Sequence, residues 1–160
     1  MPMVPIKDVP SPWFYGVSAL LGEGSIILPG NWGRILHERR TSDEGRFRWE
    51  CELIYDKVRQ KVVSDAASRL NCVFVCPKVA HARNFVREIE GRTDVVYEVE
   101  PLEDLDEVCL SDWGLFDFGN FSKPYPVAQW ADDAQKYWTT APTRKCELLV
   151  PCPVRVLKAR

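Results

Sequence analysis

Two histidines and six cysteines are the side chains in this 160-residue chain best suited to metal or nucleophilic chemistry, and their spacing argues against both. His37 stands beside Glu38 and Arg39, His81 opens a helical pattern, and neither has a second ligand at metal spacing. Cys72-x3-Cys76 and Cys146-x5-Cys152 lack the two-residue spacing of a zinc knuckle. Cys51, Cys72, Cys76 and Cys146 fall in apolar runs, where a free thiol behaves as a small buried hydrophobe, so reduced structural cysteines and no metal are expected. A Cys–His pair assembled from distant parts stays open. The chain has neither a Gly-rich Lys-Ser/Thr phosphate loop nor Gly-x-Gly-x-x-Gly, which removes the usual signals for nucleoside triphosphates and Rossmann cofactors.

Composition narrows the class of protein further. The length suits a single domain, and 46% apolar with 28% charged residues is the balance of a folding chain. A formal charge of -2 gives no pull toward polyanions, so nucleic acid is not favoured as a partner. The apolar runs are far below the roughly 20 residues of a membrane-crossing helix. Residues 1–7 lack the pattern of a secretory signal, so a cytoplasmic site, or the cytosol of a host, is expected.

The elements that must position any chemistry follow from periodicity. Trp13–Val17 reads as a first buried strand, and residues 22–30 as two glycine turns around a short apolar strand. Phe47, Cys51, Ile54, Val58 and Val62 recur at helical spacing within a helix from Thr41 to Val63, begun by a Thr41/Glu44 capping box and with its charges on a solvated face. A strand over Leu70–Cys76 is closed by Pro77. A second helix carries Val79, Ala82, Val86 and Ile89 inward and ends at Gly91. Asp94–Glu100 alternates as a strand, and Asp112-Trp113-Gly114 marks a turn in a region, 101–122, with no clear periodicity. A third helix spans Pro126 to Trp138, with Val127, Trp130, Ala134 and Tyr137 inward. Two short strands, Glu147–Val150 and Val154–Leu157, close the pattern, and Pro151 and Pro153 predict an edge or a bulge there.

Taken in order, Trp13-Phe14-Tyr15-Gly16-Val17-Ser18, Leu20-Leu21-Gly22-Glu23-Gly24, Ile27-Leu28-Pro29-Gly30, Ala67-Ser68-Arg69-Leu70 before Val73-Phe74-Val75, Val95-Val96-Tyr97-Glu98-Val99, and Tyr137-Trp138 before Glu147-Leu148-Leu149-Val150 span nearly the whole chain. This series resembles the ADP-ribosyltransferase superfamily, especially the small bacterial branch that includes rifampin-type ADP-ribosyltransferases. The resemblance implies an α+β fold of split sheets with about three flanking helices and NAD, as substrate, in a cleft between the sheets. It implies cleavage of the nicotinamide–ribose bond and transfer of ADP-ribose to an acceptor, a protein first among the candidates, as in a toxin or effector.

The same resemblance implies roles for particular residues. Family members carry His or Arg on the first strand, followed two residues later by Thr or Ser. Here Gly16 and Ser18 stand at those places beside Tyr15, so the hydroxyl is kept and the first side chain is lost. Ser68 and Arg69 would frame the nicotinamide ribose and pair with pyrophosphate, since a guanidinium meets phosphate oxygens with two parallel bonds. Arg34 is a second phosphate candidate. Glu147 would be the catalytic carboxylate that steadies positive charge developing on the ribose. Trp138 and Tyr137 would wall the cleft, their alternative being the core. Two functions follow: a mono-ADP-ribosyltransferase, or a binding or inhibitor protein that kept the shape and lost turnover. A small adaptor of unrelated mixed fold stays open beside them.

Overall fold

Strand alternation and helical stripes sort the chain into two sheets and two helical layers. The computed structural model describes residues 2–90, 95–116 and 127–160, without the side chains of residues 89, 90 and 127. The expected placements of Gly91, Asp94 and Pro126, and of the Ile89 and Val127 side chains, lie outside what it describes.

The strands are β1 (Met3–Pro5), β2 (Trp13–Val17), β3 (Ile26–Ile27), β4 (Val73–Val75), β5 (Val95–Pro101), β6 (Glu107–Asp112), β7 (Cys146–Val150) and β8 (Val154–Ala159). They form two four-stranded sheets, in the orders β1-β6-β7-β4 and β2-β5-β8-β3, and every pairing is antiparallel. A two-way backbone bridge between Phe14 and Cys76 joins the edge of the second sheet to the end of β4 in the first, with N–O distances of 2.9 and 2.7 Å.

Period two decides what each face meets. From the first sheet Val73, Val75, Val108, Leu148 and Val150 point toward the second, which answers with Trp13, Tyr97, Val99, Val154 and Val156. The opposite face of the first sheet, with Cys109 and Leu149, packs under helices α2 (Asp43–Val62) and α4 (Val127–Thr139). The outer face of the second sheet, with Phe14 and Val96, receives α3 (Val79–Phe85), which runs on into a π-helical turn, Val86–Glu90. Helix α1 (Asn31–Arg39) lies against α2 and the 3-10 turn Arg69–Asn71.

The mixed α+β class and the two sheets agree with the sequence reading, while several details differ. Ser42, not Thr41, begins α2, its Oγ accepting from the Gly45 amide at 3.1 Å. Helix α1 is an addition. Its first turn is preceded by Gly30 at φ 88°, a left-handed position that glycine adopts without strain and that offers no side-chain cap to read. Residues 101–112 contain β6, which places Val108 and Cys109 on opposite faces. The last two strands are central rather than at an edge. Pro151 and Pro153 sit where the chain crosses from the first sheet to the second, and the register shift in the β5–β8 pairing falls at Glu98/Val99. All six cysteines are free, and among the described residues no helix is long and apolar enough to cross a membrane.

Candidate functional site

Four polar side chains converge beneath the helical layer, one each from α2, the turn before β4, α4 and β7. Ser68 caps the 3-10 turn, its Oγ accepting from the Leu70 amide at 3.3 Å, and this turn delivers Arg69 into the interior. Arg69 Nε donates to both oxygens of Glu52, at 3.2 and 3.1 Å. Its Nη1 donates to Glu147 Oε1 at 3.1 Å and to the Tyr137 hydroxyl at 2.7 Å. Tyr137 in turn donates to Glu147 Oε1 at 2.6 Å. Trp32 of α1 closes the far side, its indole N–H donating to Glu52 Oε1 at 2.8 Å. The guanidinium carbon lies 4.1 Å from the ring centre of Phe116 and 4.8 Å from that of Phe74, within cation–π range.

Burial dominates the electrostatics of this cluster. Glu52, Glu147 and Arg69 are 1%, 2% and 4% exposed. Burial works against the charge on Arg69, but Glu52, Tyr137 and Glu147 outweigh it and hold the guanidinium well above its ordinary range. Burial pushes Glu147 up, with Arg69 and Tyr137 opposing and Glu52 adding to the rise. Tyr137 is likewise pushed well above the usual phenol range by burial, against the pull of Arg69. The cluster is a closed hydrogen-bonded network of two carboxyls and a phenol around one guanidinium. Removing one partner from such a network strands a buried charge, which is costly.

The cluster unites three of the residues singled out from the sequence, Arg69, Tyr137 and Glu147, and leaves the rest elsewhere. Glu147 shares its strand face with Leu149, so its carboxyl points to the helices and away from the space between the sheets. Arg69 is enclosed in ion pairs, where a pyrophosphate ligand requires an open guanidinium. Trp138 is fully buried and donates to the Tyr55 carbonyl at 2.8 Å, so of its two expected places it takes the core. Gly16 faces α3, and a Cβ there would stand 2.3 Å from Val86 Cγ2, so its bare backbone accommodates a helix. Tyr15 points the other way and packs, half-buried, against the core between the sheets. Ser18 is exposed beyond the end of β2. Arg34 is exposed on α1 and donates to Asn31 Oδ1. Ser68 acts as the cap already described.

Glu52 and Trp32 are the members that the sequence did not offer. Glu52 adjoins the apolar stripe of α2 at Cys51, a position that reads equally well as the border of a solvated face. Its only signal is Tyr55, buried one turn on. The shallow depression of about 260 Å³ lined by Leu53, Ile54, Asp56, Lys57 and Gln60 on α2 shares no residue with the cluster. Among the described residues, no group of three or more His, Cys, Asp or Glu could hold a metal ion. The chain matches no protein-family model and no curated protein sequence.

Proposed function

We propose that this chain is a ligand-binding domain on an ADP-ribosyltransferase-like plan of two sheets, with NAD the first ligand to test and without turnover at Glu147. The observation that carries this reading is the orientation of Glu147. A carboxylate steadies a developing positive charge only where it can reach that charge. Here it faces the helical layer, with Arg69 at 3.1 Å already answering it. The loss of the first-strand His or Arg at Gly16, whose open side is taken by Val86, supports the same reading.

The second reading is a mono-ADP-ribosyltransferase with a protein as acceptor. It is favoured by the fixing of Glu147 between a phenol and a guanidinium, the preorganisation an electrostatic catalyst needs. Two measurements separate the readings. A ligand specific to the folded state raises the melting temperature, so binding without turnover gives a shift with millimolar NAD and no labelled ADP-ribose transferred in a cell extract. Transfer that disappears in a folded Glu147→Gln variant overturns the binding reading in favour of the transferase. Neither shift nor transfer removes NAD from both and leaves an adaptor role.

A further inference from the structure

Glu52, Glu147 and Arg69 give two carboxyls and one guanidinium in a space nearly closed to water. With both carboxyls ionised, one negative charge has no counter-charge. Among the described residues, the other groups facing the cluster supply none. From α2 and α4 come the phenols of Tyr55 and Tyr137, and burial pushes both far above the neutral range. From β6 comes the thiol of Cys109, pushed by burial to about 11, and the thiols of Cys72 and Cys76 at the two ends of β4 are pushed higher still. The nearby cation of α2, Arg59, is engaged with Asp56 at 2.9 Å. An unpaired buried charge is too costly to keep, and a carboxyl in that position takes up a proton instead.

We infer that Glu147 holds a proton in the folded protein, and that this proton allows α2 and α4 to close over the first sheet. The hydrogen bonds say which carboxyl it is. Glu52 accepts on both oxygens, Oε1 from Arg69 and Trp32 and Oε2 from Arg69. Both hydrogen bonds to Glu147 fall on Oε1, which leaves Oε2 to carry the proton. Loss of that proton to solvent leaves a buried anion, which the helical layer relieves by lifting and admitting water. The device is a pH-sensitive clamp that loosens on the alkaline side. It stands on the buried cluster alone, whether or not NAD is the ligand.

The sign follows from linkage: a carboxyl that binds its proton more tightly when folded takes one up on folding. Its stabilisation is complete below the unfolded carboxyl range and is lost as pH rises through the raised folded value. The test is infrared spectroscopy of the carboxylic-acid C=O band at neutral pH, paired with melting curves from neutral to alkaline pH. The wild type is expected to show a protonated-carboxyl band that Glu147→Gln lacks. Glu52→Gln is expected to lose it too, because Glu147 is then free to ionise against Arg69. Both variants should also lose the alkaline fall in melting temperature attributable to this group. A wild-type spectrum without the band, a band that persists in Glu147→Gln, or an alkaline fall equal in wild type and Glu147→Gln would overturn the inference. The wild-type spectrum decides the first point even if a variant does not fold.

Discussion

The two faces of the first sheet, a strand's thickness apart, solve opposite problems. Leu148 and Val150 look toward the second sheet into a core of Val, Ile and aromatic side chains. Glu147 and Leu149, their neighbours on β7, look toward the helices, where an ion-pair network is sealed among Tyr55, Tyr137 and Trp138. One face is held by area removed from water, which tolerates substitution in proportion to volume. The other depends on buried polar groups that must each keep a partner.

The sharpest way to break this comparison is to remove its cation. Arg69→Ala is expected to cost about 3–5 kcal/mol by denaturant unfolding, because two carboxyls lose their shared partner. Leu148→Ala on the other face should cost about 2–5 kcal/mol from lost packing alone. The difference in kind shows on repair: replacing Glu52, Arg69 and Glu147 together with apolar residues should recover most of the loss, whereas no second substitution restores Leu148→Ala so simply. If Arg69→Ala is neutral, the network carries no weight.

Gly16→Ala tests the third packed surface, between β2 and α3. A Cβ 2.3 Å from Val86 Cγ2 should cost about 1–3 kcal/mol, and Val86→Ala in the same chain should return part of it. A smaller effect, of about 1–2 kcal/mol, is expected for Asp112→Ala at the end of β6. Burial pushes Asp112 up, but the amides of Thr143, Gly114 and Arg144 outweigh it and hold the carboxyl below its ordinary range. Its contribution is present above the unfolded value and lost as pH falls through the folded one, so Asp112→Ala should lose less stability than wild type on acidification. That is opposite in direction to Glu147. The smallest effect, under about 1 kcal/mol, is expected for Lys145→Ala, whose pair with Glu88 at 2.6 Å is open to solvent.

Period and turn chemistry made much of the fold legible. Trp13–Val17, the α2 stripe and the α4 stripe are local patterns, and each became an element close to its expected bounds. Helix α1 was illegible because Gly30 announces a turn and no capping side chain follows. Pro151 and Pro153 indicated an interruption, yet whether it lies at an edge or at a crossing between sheets depends on pairing partners far away in sequence. The site was less legible for a related reason. Leu148-Leu149-Val150 is apolar on both faces, so β7 carries no alternation to say which way Glu147 points. Its partner Arg69 lies 78 positions earlier, and nothing local connects the two.

The strand order also has a kinetic consequence. Among the described residues no hairpin joins neighbouring strands. Even β6 and β7, which pair, are separated by α4, and β7 and β8, each an inner strand of its sheet, follow all the others in the sequence. During synthesis α2 precedes most of the sheet it packs against, and β2 precedes its partner β5 by most of the chain's first half. Folding dominated by such distant pairings is slow and leaves apolar edges uncovered in the interval. A chain that has not yet received β7 and β8 holds both sheets open at their middles, with β4, β5 and β6 each lacking a partner.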